Sequence, residues 1–357
     1  MKNDHHASTW LWLAFAAAAM LAVTLGTRLS LGLFVAPLDS ATGLGIASIS
    51  LAMAINQFVW GAVQPIAGAV ADRYGPGRVL VFALLLQAAG LILTPLMHST
   101  LGLSLVLGVL MATGTGAGAF SVLIGAIAER LPAKHRGMSA GIVNAGGSVG
   151  QFLFAPLVQG LIMFSGWIGA LWGLAVITLA ALPLASILKK PARCGSSGTP
   201  AEEPRREPLS RVLRNALCDR SYLLLHAGFF TCGFHIAFLV THLPGEVALC
   251  GHHGAVASST LSNIGLFNIF GSLAAGALVQ RYRSKMILAA MYASRALMII
   301  AFMYSPRSAH DFYLFAAGLG FTWLATVPPT ANVVSKLFGN RDLSTLFGLT
   351  LLTHQVG

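Results

Sequence analysis

Two uncharged apolar runs flank a short polar loop in this chain, and few folds can accommodate that arrangement. Ser48 to Val70 holds no charged residue and neither does Val79 to Leu96; Gly68-Ala-Val-Ala-Asp72-Arg73-Tyr74-Gly75-Pro76-Gly77-Arg78 joins them. Apolar runs of about eighteen residues or more are long enough to cross a bilayer as helices. A loop punctuated by Gly and Pro reverses the chain between two such helices. A related stretch returns as Gly276-Ala-Leu-Val-Gln280-Arg281-Tyr282-Arg283-Ser284-Lys285, again between apolar runs. The chain therefore reads as two copies of one helical design.

Composition agrees with an all-α membrane protein. Hydrophobic residues make up 56% of the chain and charged ones 9%, too few charges to cover a soluble surface. The first run, Trp10 to Leu25, is not followed by a small-residue cleavage site, so it reads as a retained helix rather than a signal peptide. Cys194, Cys218, Cys232 and Cys250 have no paired spacing, which argues against a disulfide framework and a zinc site. The pairs His5-His6 and His252-His253 lack two further ligands at metal spacing, so neither metal nor cofactor is expected.

The net charge of +11 could suggest nucleic acid, but the positions of the basic residues speak against it. With the Asp72 loop on the cytoplasmic side, all of the 22 Lys and Arg fall in cytoplasmic segments except Arg28, Arg295 and Arg307. That bias places the amino terminus in the cytoplasm of an inner or plasma membrane. The basic excess is topology, and no nucleic-acid partner is expected.

The runs predict helices over 10–36, 47–70, 78–96, 102–127, 138–161 and 167–188, then 221–243, 257–279, 286–305, 311–334 and one from 344 onward. Residues 189–220 change character, with Pro191, Gly195, Gly198, Pro204 and Pro208 among charged residues; they read as a polar cytoplasmic linker. The expected division is an N-terminal six-helix bundle over 1–188, the linker over 189–220 and a C-terminal bundle over 221–357. By symmetry with the first half, the rest of helix 11 and a helix 12 are expected beyond Gly357. Glycines such as Gly114, Gly116, Gly141 and Gly150 stand at helix-packing spacing.

Six helices, a polar linker and six more with a repeated loop resemble the major facilitator superfamily. Its signature loop, roughly Gly-x-x-x-Asp-Arg-x-Gly-x-x-Arg, is matched by Gly68, Asp72, Arg73, Gly75 and Arg78. The resemblance implies that these residues latch the cytoplasmic ends of the two bundles in the outward-open state. Gln280 replaces the Asp in the second copy, implying a weaker latch there. The stretches Gly26 to Leu38 and Phe229 to Pro244 resemble the monocarboxylate and oxalate/formate branch of that superfamily. That branch often carries an Arg in helix 8, sometimes with an acid four residues earlier; Ser272 and Asn268 stand in those places here.

Arg28 lies about 16 residues into helix 1, roughly 24 Å along it. Arg295 lies near the middle of helix 9. A guanidinium in the bilayer costs about 2.5–3.5 kcal/mol or more unless it faces a partner or water. No acid falls inside a predicted span to neutralise either, and a carboxylate substrate would complete one through the bidentate fork of Arg. The bland alternative is bonding to backbone carbonyls or amides; for Arg295 this would brace helix 8 through Asn263 or Asn268. His226, His235 and His242 on helix 7 and His354 on helix 11 could carry a coupled proton or simply bond across helix interfaces. Of these, His235 falls near the midplane. Asn56, Gln57, Asn144, Gln151 and Gln355 are polar positions in apolar runs.

The expected substrate-binding set is Arg28, Gln57, His235, Asn268, Arg295 and His354. The expected function is secondary active transport of a small, monocarboxylate-like organic anion by alternating access, with proton symport or anion exchange. The alternatives are efflux of a drug-like compound, for which an acidic cavity residue would be expected, and a sensor or inactive membrane protein. No nucleophile–base pair, metal cluster or nucleotide loop suggests an enzyme.

Overall fold

In a computed structural model describing residues 3–189, 207–252 and 254–357, the described residues fold almost entirely as helix. The helices are α1 (Asn3–Leu29), α2 (Val35–Thr42), α3 (Ile46–Tyr74), α4 (Pro76–Leu93), α5 (Thr100–Leu103), α6 (Ala112–Ala117), α7 (Phe120–Ala128), α8 (Ala133–Ala180) and α9 (Leu182–Ile187). They continue as α10 (Leu209–Cys218), α11 (Arg220–Leu249), α12 (Gly254–Arg281), α13 (Ser284–Met303), α14 (Ala309–Thr322), α15 (Val327–Phe338) and α16 (Leu343–Val356). A 3₁₀ turn, Leu31–Phe34, joins α1 to α2, and a π-helical stretch, Ser104–Met111, joins α5 to α6.

Among the described residues, eight segments are long and apolar enough to cross a membrane, including Trp10–Thr42, Ile46–Tyr74 and Ala133–Ile187. The last is folded in two at Gly166, whose φ of +72° reverses the chain where a side chain would be strained. Counting α11 and α16 as well, we number the crossings 1 to 11 in chain order. The spans lie close to those the apolar runs predict, with crossing 1 running on to Thr42.

Part of the expected linker is helical. Residues 209–218 form α10, with Leu209, Val212, Leu213 and Ala216 on its inner face and Arg211 and Arg214 exposed. The i, i+3, i+4, i+7 spacing of those apolar residues is the cause, a periodicity masked by the flanking prolines and charges. Residues 190–206 lie outside the described residues. Arg130, in the connection after α7, donates to Ile187 O at 2.9 Å and Leu188 O at 2.7 Å, satisfying carbonyls at the end of crossing 6. Burial pulls its guanidinium below the usual pKa.

Two helix pairs carry most of the contact between the first six crossings and the rest. In one, α3 packs on α16, with Gly68 so close to Ser344 that a Cβ would strike its backbone. In the other, α8 packs on α12, where a Cβ on Gly141 would lie 2.7 Å from Ser272 O and 3.0 Å from Gly276 Cα. Without a hydrophobic drive between helices in lipid, close backbone approach of this kind supplies the attraction. Both contacts are tight at the end of the molecule carrying the Gly75 turn, here called the loop end. Farther along, Gly160 on α8 and Gly265 on α12 face open space. The molecule is closed at the loop end.

Crossing 10 is broken between α14 and α15. Pro328 and Pro329 have no N–H to give to the preceding turn, so the helix stops at Thr322 and restarts at Val327. The carbonyls left at the break need other donors, and the functional cluster supplies two.

Candidate functional site

The central cluster starts from Arg28 at the end of α1, just before the 3₁₀ turn. Only 8% of Arg28 is exposed. Its Nη2 donates to Gln57 Oε1 on α3, and its guanidinium carbon lies 4.3 Å from the ring centre of Trp60. That distance is a cation–π contact, and the low-polarity surroundings strengthen it. Gln57 Nε2 in turn donates to Gln355 Oε1 on α16, across the boundary between the two sets of crossings. Gln355 Nε2 lies 3.3 Å from His354 Nδ1, and the His354 ring packs against Phe229 at 5.1 Å. A chain of polar groups thus runs Arg28, Gln57, Gln355, His354. The guanidinium meets an amide and an aromatic face rather than a carboxylate, and its Nε–H has no partner.

The geometry brings Arg28, Gln57 and His354 together; Arg295 meets this chain of groups through Cys232, with which His354 also interacts, and Asn268 and His235 make no hydrogen bond to it. Arg295 is 1% exposed and enclosed. Its Nη2 donates to Thr322 O and, at 3.1 Å, to Trp323 O; its Nη1 donates to Cys232 Sγ at 3.2 Å. The expected brace to helix 8 through Asn263 or Asn268 is therefore corrected: Arg295 ties crossing 9 to the break in crossing 10. The physical reason is the break itself: the chain leaves helical geometry at Trp323, and Val327 N, the donor that Trp323 O would meet in a continuous helix, turns to Leu324 O at 3.0 Å. Asn268 is equally enclosed. Its Nδ2 donates to Ser148 Oγ at 2.6 Å and its Oδ1 accepts from Leu324 N at 3.0 Å. Asn144 Nδ2 bonds Ser272 Oγ at 2.7 Å and Leu324 O at 2.8 Å. Asn268 and Ser272, the positions at which the resembled branch carries charge, here form neutral bonds between α8 and α12.

His235 is half-buried, its Nδ1 without a partner, one turn beyond Cys232 on α11. His226 Nδ1 pairs with Thr353 Oγ1 at 2.6 Å, an interface contact between α11 and α16. The side chain of His242 lies outside what can be described. Sequence reasoning missed Trp60, Cys232 and Thr345. Trp60 was within reach, since it stands three residues from Gln57 on one face of α3.

At the loop end Asp72, 9% exposed, accepts from Thr345 N at 2.8 Å and Thr345 Oγ1 at 2.7 Å. Thr345 is in the first turn of α16, so the carboxylate of α3 sits at the positive end of another helix. Gly75 takes φ +95° at the turn, which explains the second signature glycine. Arg73 and Arg78 are exposed on the same end.

Helices that cross a bilayer in two related sets, joined by glycine contacts around a central cation, define a polytopic transport protein. The Major Facilitator Superfamily profile matches residues 11–357, and the chain belongs to that family of membrane transporters, which are not enzymes. An uncharacterized MFS-type transporter, YcxA of Bacillus subtilis, is 23% identical over 92% of this chain and 81% of its own length. Monocarboxylate transporter 13 of Rattus norvegicus is 24% identical over 98% of this chain and 80% of its own. The oxalate:formate antiporter of Oxalobacter formigenes is 24% identical over 48% of this chain and 41% of its own. Among solved structures, the proton:xylose symporter XylE superposes with a TM-score of 0.71 at 14% identity, covering 98% of this chain and 86% of that one. The last likeness concerns the fold alone.

Proposed function

We propose that this transporter carries a small organic anion of the monocarboxylate class by alternating access between a bundle over 1–188 and one over 221–357. The observation that carries the proposal is Arg28: a buried guanidinium at membrane depth, held by an amide and a tryptophan face. A bound carboxylate would take the Nη groups bidentately and displace Gln57, replacing a neutral bond by a charge-assisted one. The relatives named as monocarboxylate and oxalate:formate transporters support the same class. Because Gln57 also holds Gln355, the displacement would loosen a bond between the two bundles and so link substrate binding to movement. His354, at the end of the polar chain, and His235, with its free ring nitrogen, are the groups to which we assign a coupled proton in symport. Arg295 and Asn268 then serve the site from behind, by fixing the break in crossing 10.

In this reading the loop end is cytoplasmic, the amino terminus is inside an inner or plasma membrane, and the conformation is outward-facing. Asp72 of α3, held by the first turn of α16, is the latch, with Gly68 and Gly75 allowing the approach and Arg73 and Arg78 adding positive charge at the same end. The test is uptake of labelled lactate, pyruvate, formate and oxalate into proteoliposomes, with and without a proton gradient. Uptake that is lost in Arg28→Ala and reduced in Gln57→Leu is expected, whereas undiminished anion uptake by Arg28→Ala would overturn the assignment. Dependence on the gradient separates symport from exchange.

A further inference from the structure

A cavity of about 570 Å³ opens between α11, α13 and α15 at the loop end, away from the Arg28 cluster. Its rim carries Arg283 just before α13, Lys285 at the start of α13 and Lys336 in the last turn of α15. All three side chains are exposed. The rest of its lining is mainly apolar, with Leu288 buried, Tyr292 half-buried and Leu224 exposed at its edge. Along α13 the distance from Lys285 to Tyr292 is roughly 10 Å, so the cationic rim and the apolar interior are stacked along the helix axis. Ser284 Oγ accepts from Asn332 Nδ2 at 2.7 Å, which holds α13 to α15 and leaves the cleft between that pair and α11. Among the described residues no carboxylate lines it. Asp219, the acid beside α11, is engaged in capping that helix and accepts from Tyr222 N at 2.9 Å.

We propose that this cleft binds an anionic phospholipid, with the phosphate among Arg283, Lys285 and Lys336 and one acyl chain along Leu224 and Leu288. The charge pattern selects this occupant. A zwitterionic lipid would bring its own cation against three like charges, and free phosphate would leave the apolar depth empty. Basic pockets between transmembrane helices at the level of the headgroups suit such lipids.

The test is native mass spectrometry and thermal-shift measurement on the purified protein, titrated with phosphatidylglycerol, phosphatidylcholine or inorganic phosphate. Phosphatidylglycerol should add as a bound lipid and raise Tm, and the other two should not. The combined Arg283→Gln, Lys285→Gln, Lys336→Gln variant should bind phosphatidylglycerol about a hundredfold more weakly, if each cation contributes to the usual extent. Leu224→Trp, which fills the apolar wall and keeps the rim, should weaken it as well. Equal binding of phosphatidylcholine, protection by inorganic phosphate alone, or unchanged phosphatidylglycerol binding by the triple variant would each overturn the proposal.

Discussion

The α3–α16 and α8–α12 contacts are related by the internal repeat and share one device, a glycine four residues before the polar position of the loop. Gly68 lets α3 reach the backbone of Ser344, and Gly276 meets Gly137 and Gly141 in the same way. They differ in what lies beside the glycine. At the first, the Asp72 carboxylate takes the first turn of α16 through Thr345. At the second, Gln280 is exposed, and the polar bonds lie deeper, between Asn144 and Ser272 and between Asn268 and Ser148. One seam is thus held by a charge at a helix end, where the bond breaks as a unit. The other is held by neutral amide–hydroxyl pairs spread along the helices and tied to the break in crossing 10. The first is suited to snapping open and the second to sliding or bending about a retained contact.

The comparison is broken most severely through the glycines. Gly68→Leu drives a side chain into the Ser344 backbone and should cost roughly 3 kcal/mol of the closed state. Gly276→Leu should do the same against Gly137 and Gly141. Both are read as loss of cross-linking between cysteine pairs placed across each seam. If only one variant opens its seam, the two contacts are not equivalent closures. Next in size is Asp72→Asn, which keeps the shape but removes the charge at the helix end. About 1–2 kcal/mol is expected, or roughly tenfold in the ratio of closed to open, measured as spin-label distances across the loop end. An unchanged distribution would mean that packing alone closes that seam.

The sequence made the repeat, the crossings and the signature loop legible because each rests on a strong local signal: apolar length, Gly and Pro punctuation, and the positions of basic residues. Arg28 and Gln57 were legible for a similar reason, since polar groups in apolar runs cannot hide. What could not be read was the partner of each polar group. Arg295 and Arg28 look alike in sequence, yet one is enclosed by carbonyls at the break in crossing 10 and the other faces an amide and Trp60. Partners so distant along the chain are chosen by packing. The helix at 209–218 went unseen because its four apolar positions lie beside a stretch rich in proline and charge.

Two further changes sharpen the contrast. Asn268→Leu removes bonds to Ser148 and Leu324 and leaves both groups buried, at a cost of about 1–3 kcal/mol to the α8–α12 seam. It should lower Tm while leaving the Asp72 seam intact in spin-label distances, which a shared network between the seams would not allow.

The smallest effect should come from restoring the symmetry. Gln280→Asp places a carboxylate four residues beyond Gly276, as Asp72 stands four beyond Gly68, and the first turn of α8 with Arg136 lies at the same end. A charge near an exposed helix start is worth about 0.3–1 kcal/mol, so closure of the second seam should strengthen by about two- to fivefold. The limit is geometric, because Gln280 is exposed and Arg136 already donates to Leu131 O at 2.9 Å. Spin-label distances across α8–α12 provide the measure. A gain as large as the loss in Asp72→Asn would show that the second seam lacks only a charge. A gain within the predicted range would show that the two seams differ in the burial of the position itself, and that the asymmetry belongs to the backbone as much as to the residue.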